Sequence, residues 1–348
     1  MGFIINNDQQ RQRISISPEA MMILEQDVSD FNLYGLGELV NNILLYIEKY
    51  RATQETKLIQ YRDQTYSYLK KAGIESDISI ILDKLCKYKK KEIIDNISLT
   101  KTHRRGNIGK NIYIKQQVLR WLESSENTED EYYGGSLLLY LNCIIEDYVN
   151  KDLYTRETIV INERISKIDS YIKDTEWINI YWPNNRSVRI FPVKVMPDKM
   201  NTHAYLACYM HSANGTLIPS SYRIASLPDD IQIAHGYNPP VTDSDIKKLD
   251  VLIAERRVDF LAYEAVDIQI RMSKHGLQRY SRTARLRPDI ISSEKSFDGS
   301  MLYTFHCTKQ QAEYYFASFG EDIEIISPND LRTRFKKIYK KALSLYNN

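Results

Sequence analysis

The residues best suited to chemistry in this chain are cations set among aromatic side chains. The run Arg279-Tyr280-Ser281-Arg282-Thr283-Ala284-Arg285-Leu286-Arg287-Pro288 places four arginines within nine residues, with Tyr280 among them. Guanidinium groups bind phosphates, and flat rings stack on bases. Ser, Thr and Pro288 in this run read as a loop, one able to close over a bound strand. A second cluster, Lys101-Thr102-His103-Arg104-Arg105-Gly106-Asn107-Ile108-Gly109-Lys110, is basic and punctuated by glycine. It reads as a phosphate cradle or as a solvated connector. From Lys84 to Arg120 eleven Lys/Arg face two acids, Glu92 and Asp95. From Leu331 onward, Arg332, Arg334, Lys336, Lys337, Lys340 and Lys341 meet no acid. Net charge is only +2, so the basic character is local, as a phosphate backbone requires.

Tyrosine is abundant, with 26 against 9 Phe and 3 Trp. It offers a stacking face and a polar tip, although compositional drift produces the same count. Enzymatic signatures are missing: the sequence holds no GxxxxGK[ST], GxSxG or HExxH. The six histidines are scattered, and His203 and His211 stand roughly 26 Å apart on an extended strand, too far to share a metal. Cys86, Cys143, Cys208 and Cys307 form no CxxC pair, which argues against zinc and disulfides and for a reducing compartment. No secretory leader is evident. The apolar-leaning stretch from Tyr132 to Ile145 is shorter than the ~20 residues a bilayer needs. The expectation is a soluble, cytoplasmic, non-enzymatic protein without cofactor or metal.

These residues need elements to position them. Arg11-Gln12-Arg13-Ile14-Ser15-Ile16-Ser17 alternates with the period of a half-buried strand. Ser17-Pro18 starts a helix, with Ser as N-cap and Pro at the first helical position. Ala20, Leu24, Val28 and Phe31 follow at helical spacing, and a second helix runs from Leu36 through Ile47. One strand and two helices bury too little to stand alone. A second copy of the chain would supply a partner strand about a two-fold axis. This pattern resembles the ribbon-helix-helix family, with Ile14 and Ile16 inward and Arg11, Arg13, Ser15 and Ser17 outward. The resemblance implies either a dimer clasp or a ribbon that reads DNA through Arg13.

Residues 53–155 read as helical throughout, with helices over Gln54–Lys71, Ile78–Ile97, Tyr113–Leu122 and Leu137–Tyr148. From Trp177 the period changes. Strands over Trp177–Trp182, Ser187–Val195, His203–His211 and Thr216–Leu227 are separated by Pro183-Asn184-Asn185, Pro197-Asp198 and Asn214-Gly215. Short strands with such punctuation suggest a small barrel.

Ile180-Tyr181, Arg189-Ile190-Phe191-Pro192, Ala204-Tyr205-Leu206-Ala207 and Tyr222-Arg223-Ile224-Ala225-Ser226-Leu227 together resemble a WYL domain, an Sm-like barrel. Tyr205, Leu206 and Arg223 match the family's pattern, and Ala204 stands where Trp is expected. The likeness continues through Phe305-His306-Cys307-Thr308, Gln310–Phe316, Phe319-Gly320, Ile323–Pro328 and Leu331-Arg332, similar to the extension that follows many WYL domains. Thr308 and Ser327 suit N-caps, Pro328 a first helical position, and Gly320 a helix stop. The implied fold is α+β: a ribbon-helix-helix dimerisation domain (1–52), a helical linker region (53–155), a WYL Sm-like barrel (156–240) and a C-terminal α/β extension (241–348).

A ribbon-helix-helix head on a WYL domain resembles the WYL accessory proteins encoded beside type VI-D CRISPR effectors. That resemblance implies a homodimer that binds single-stranded RNA and stimulates an RNA-guided RNase. The candidate binding residues are Arg223, Arg189, Tyr205, Tyr181 and His203 on the barrel, Arg279, Arg282, Arg285 and Arg287 beyond it, and Arg13, Arg104 and Arg105 in the N-terminal half. His203 and Tyr205 share strand parity and face one side. Tyr181 and Tyr205 serve equally well as barrel core, and Arg189 as a surface residue. The alternative is a ligand-sensing transcription factor whose ribbon binds operator DNA.

Overall fold

The computed structural model describes residues 2–3, 10–74, 77–102, 107–200, 202–212, 215–284, 286–295 and 300–346, with backbone only for 99–102. Arg104, Arg105 and Arg285 therefore lie outside the described residues. The chain gathers into two compact units, Met1–Glu163 and Arg164–Asn348.

In the first unit β1 (Arg11–Ile16) buries Ile14 and Ile16 completely, as its alternation requires. Its partner is not a second copy of the chain. It is β2 (Ile108–Tyr113), paired antiparallel with Arg11 opposite Tyr113 and Ile16 opposite Ile108. This corrects two expectations: the strand is completed within the chain, and residues 53–155 are not helical throughout. The Lys110-Asn111-Ile112-Tyr113 alternation was hidden by the basic, glycine-punctuated sequence around it. Ser17 caps α1 (Pro18–Asp30), its Oγ accepting the Ala20 N–H at 3.1 Å. In α2 (Leu36–Tyr46) Leu39, Val40, Ile43 and Leu44 are buried. Asn41 ties α2 to β2. Its amide donates to the Tyr113 carbonyl at 2.9 Å, and its Oδ1 accepts the Lys115 N–H at 2.7 Å. The buried helix after residue 136 lies at Leu137–Val149. Its Asn142 and Glu146 accept the backbone N–H groups of Ser15 and Ser17 at 2.8 and 3.1 Å.

Helix α3 (Gln54–Lys71) ends at Gly73, whose φ of 73° suits a glycine. Helix α4 (Ile78–Thr102) outruns the expected end at Ile97. Helix α5 (Gln116–Glu123) begins three residues later than expected because Tyr113 belongs to β2. At the base of α3 the Arg51 guanidinium lies 2.6 Å from Glu48 and 3.4 Å from Glu129, and Glu129 also accepts the Gln54 N–H at 2.8 Å. Counting the helix Leu137–Val149 as α6, the unit closes with α7 (Leu153–Val160), whose Arg156 meets fully buried Asp27 at 2.8 Å. No described helix is long and apolar enough to cross a membrane.

Helix α8 (Asn162–Lys173) leads into the second unit. Five strands follow: β3 (Ile178–Tyr181), β4 (Ser187–Pro197), β5 (Ala204–His211), β6 (Leu217–Arg223) and β7 (Ile231–Ile233), in sheet order β6-β5-β4-β3-β7. The sheet curls, and Trp182 reaches Tyr222 with 6.3 Å between ring centroids. No strand pairing closes it among the described residues, so the expected barrel is an open sheet. β4 carries a bulge between Pro192 and Lys194, and such a bulge bends a strand. Helix α9 (Asp243–Arg256), opened by a Thr242/Asp245 capping box, packs Leu249 against Trp177, Phe191 and Tyr209.

A second sheet has the order β11-β8-β10-β9, from β8 (Ala265–Met272), β9 (Ile290–Lys295), β10 (Met301–Thr308) and β11 (Ile323–Ser327). Its core joins Phe305, Phe316, Phe319, Leu331 and Phe335. Helix α10 (Lys274–Arg282) precedes β9. Thr308 caps α11 (Lys309–Phe316), and Gly320 breaks the chain at φ 61°, both as expected. Helix α12 (Asn329–Ser344) is capped by Pro328 rather than Ser327, one residue later than the sequence suggests.

Candidate nucleic-acid interface

Pairing places Tyr205 on β5 directly opposite Arg223 at the end of β6, and directly opposite residues share a face. His203, two residues before Tyr205, lies on the same side. Both face Asp259: the Tyr205 hydroxyl donates to its carboxylate, and His203 acts on it through charge. Burial and then the neighbouring Asp198 carboxylate push Asp259 from 3.8 to about 6, against the pull of Arg257, His203 and Tyr205. Three of the residues chosen from sequence are thus brought together. No local pattern pointed to the Asp198, Arg257 and Asp259 that complete the cluster, because they arrive from the end of β4 and the turn after α9.

Beside this cluster opens a cleft of about 460 Å³, lined by the 196–199 corner, the end of α9, Pro288 and Asp289, and His306 and Gln311. Its cations are held in place. Lys199 lies 3.1 Å from Asp289, and Arg257 donates to the Arg287 carbonyl and lies 3.9 Å from Asp289. Arg257 adopts φ 65°, a conformation uncommon for a side-chain-bearing residue and often found at functional sites. His306 lies 2.7 Å from Asp267 and 3.6 Å from Glu255, and the Asp267 hydrogen bond raises its pKa. The cleft therefore combines several cations with acids that titrate or pair. No group of three or more His, Cys, Asp or Glu among the described residues is arranged for a metal.

The other candidates are dispersed. Arg189 is pinned by hydrogen bonds to Asn179, Asn238 and the carbonyls of His235 and Tyr237, at 3.2 to 3.3 Å. Its guanidinium holds the 235–238 loop. Tyr181 is exposed at the end of β3, opposite Ser187. Beyond it Arg186 stacks on Trp182 at 5.1 Å, a cation–aromatic pair that the Pro-Asn-Asn turn signal concealed. Arg279 and Arg282 belong to α10 and not to a loop, because Ser273 caps a helix that includes them. Arg279 lies over the Phe319 ring at 5.1 Å, and Arg282 is exposed. Arg287, in the loop that follows, stacks on Tyr280 at 5.4 Å and donates to the Ser281 carbonyl at 3.2 Å. In the first unit Arg13 is exposed on β1, with its guanidinium against Gly109 of β2.

The fold is shared with a CRISPR Cas-related protein. Its crystal structure superposes with a TM-score of 0.72 at 19% identity, over 99% of this chain and 98% of the other. The proteasome accessory factor B/C of Arthrobacter aurescens aligns with 100% of this chain and 52% of its own, but at a TM-score of 0.28 and 10% identity, too low to carry a fold assignment. No protein-family model and no curated protein sequence matches the chain.

Proposed function

We propose that this chain is a non-enzymatic accessory of a CRISPR system that binds single-stranded RNA and stimulates an RNA-guided RNase. The observation that carries this reading is a cleft holding Lys199, Arg257 and His306, with Tyr205 and Arg223 paired beside it and His203 buried behind them. Cations for phosphates and a ring for bases are what single-stranded RNA requires. The fold shared with a CRISPR Cas-related protein supports the setting. The test is fluorescence anisotropy with single-stranded RNA, single-stranded DNA and random duplex DNA at one near-physiological salt. Single-stranded RNA is expected to bind tightest; equal affinity for all three would sink the proposal. A homodimer is not needed to complete the ribbon, since β2 does so, and sedimentation of the purified chain measures it directly.

The site carries a pH dependence. As pH falls from 8 toward 5.5, Asp259 loses its charge near pH 6 and His306, its pKa raised by Asp267, gains one. Both changes favour a polyanion, so RNA affinity is expected to rise on acidification. Because Asp259's folded pKa is raised, the folded state holds its proton more tightly than the unfolded chain does. Its contribution to stability is therefore lost as pH rises from 3.8 to about 6. Asp259→Asn is expected to flatten the acid rise in RNA binding and to stabilise the protein at pH 7.5 by at most about 3 kcal/mol. Anisotropy and urea melts at both pH values read these effects, and an Asp259→Asn variant with wild-type pH profiles in both would refute them.

A second reading rests on the ribbon. Arg11 and Arg13 on β1 lie opposite Tyr113 and Asn111 on β2, on the face away from Ile14 and Ile16. A two-stranded ribbon fits the major groove, and Arg and Asn are base readers. On this reading the chain is a transcription factor, and duplex selection enriches a defined operator. Arg13→Ala is then expected to weaken that operator by about tenfold or more. Failure of any duplex to enrich would remove this alternative.

A further inference from the structure

The turn at Val258–Phe260 separates the cleft from a second hollow of about 480 Å³, lined by Asp259, Phe260, Tyr263, Gln310, Glu313, Tyr314 and Arg334. Tyr314 is 74% exposed and Tyr263 45% exposed. Tyr314 leans on buried Phe260, with ring centroids 6.5 Å apart and planes at 36°. An exposed ring held in place by a buried one is a ready stacking platform. Arg334 also lines the adjoining surface hollow with Asp330, Thr333 and Lys337, so the two hollows meet at its side chain.

From Arg334 a basic stripe runs along α12. Lys337 and Lys341 follow at helical spacing, and Lys336 and Lys340 lie beside them, all exposed. The stripe extends about 10 Å along the helix axis. The nearby acids are already paired: Glu313 with Arg334, Asp330 with Lys309 at 2.5 Å, and Glu324 with Arg332 at 2.6 Å. None of the four lysines makes an ion pair among the described residues. Within the acid-free run it is these four lysines, and not Arg332 or Arg334, that present an exposed cationic face without an ion pair among the described residues.

We propose that the Tyr314–Tyr263 hollow and the Lys337–Lys341 stripe of α12 form a further single-stranded RNA site, with bases stacked on the tyrosines and phosphates along the lysines. The proposal rests on the single-stranded RNA reading above and extends the RNA path onto the C-terminal half of the unit. Gln310 supplies an amide that can both donate to and accept from a base edge. Stacking without a fixed hydrogen-bond pattern makes the site tolerant of sequence.

The test compares wild type, Tyr314→Ala, Tyr314→Phe, the double variant Lys337→Gln/Lys341→Gln, and Arg223→Ala. The probe is a labelled oligouridine long enough to span both sites, titrated over a range of salt. Tyr314→Ala is expected to weaken binding about tenfold with little change in salt slope, and Tyr314→Phe to restore it. The lysine variant is expected to flatten the slope of log K against log salt by about 1.4. Tyr314 and the lysines are exposed, so melting temperatures should match wild type. If Arg223→Ala weakens binding but the Tyr314 and lysine variants do not, this second site is wrong and the primary reading stands. A lysine effect without a Tyr314 effect overturns the stacking site and marks α12 as a contact for an acidic protein surface. If wild type shows no preference for single-stranded RNA, both proposals fall together.

Discussion

Arg223→Ala is expected to weaken binding of single-stranded RNA about thirtyfold. A charge-assisted hydrogen bond contributes about 2 kcal/mol, and each 1.4 kcal/mol is tenfold in affinity. Arg223 stands at the end of an edge strand, half-buried, with Tyr205 as its cross-strand neighbour. One fewer phosphate contact should also flatten the salt slope by about 0.7. Arg189→Ala is the informative contrast. Its guanidinium is spent on Asn179, Asn238 and two loop carbonyls. Its replacement should lower the melting temperature and release the 235–238 loop, with a smaller effect on RNA. If Arg189→Ala abolishes binding and Arg223→Ala does not, the interface lies at the 235–238 loop rather than at the β5–β6 edge.

Arg51→Met is expected to destabilise the first unit by about 3–5 kcal/mol, the largest stability effect foreseen here. Arg51 and Glu129 have side chains only 6% and 3% exposed, and Glu48 shares the guanidinium. Breaking a buried pair from one side leaves the other charge without compensation. Burial already raises the Glu129 pKa against the pull of Arg51 and the Gln54 N–H. Without Arg51 that carboxyl should rise further. A raised folded pKa gives stability at acid pH that is lost as pH increases. The variant should therefore lie closer to wild type at pH 5 than at pH 8 in urea melts. Adding Glu129→Gln should recover part of the loss at pH 8. A deficit independent of pH, unrelieved by Glu129→Gln, would mean that Arg51 acts through packing alone.

Much of the local architecture was legible in the sequence, for local reasons. Ser17-Pro18, Thr308 and Gly320 act where they stand, because capping and chain reversal depend on a few neighbouring residues. The alternation in β1 identified Ile14 and Ile16 as core, and the parity of His203 and Tyr205 put both beside Asp259. The strand signals from Trp177 to Leu227 located four strands of the five-stranded sheet. The acid-free run from Leu331 marked a helix that does present its lysines outward.

Pairing and long-range contacts lay beyond that reach. β1 and β2 are separated by α1 to α4, and nothing within either segment names the other. Asn41, reaching the Tyr113 carbonyl and the Lys115 N–H, anchors β2 beside α2 and makes the ribbon within one chain. The curl of the five-stranded sheet without closure depends on the bulge in β4 and on how its edges pack. The role of Arg189 turned on carbonyls some 46 to 48 residues away. What the sequence determined by itself was where helices and strands begin, which of their faces are apolar, and where cations gather. Only the tertiary structure decided which strands meet, which arginines are consumed in holding loops, and which carboxylates gather beside Tyr205, because those outcomes depend on groups brought together from distant parts of the chain.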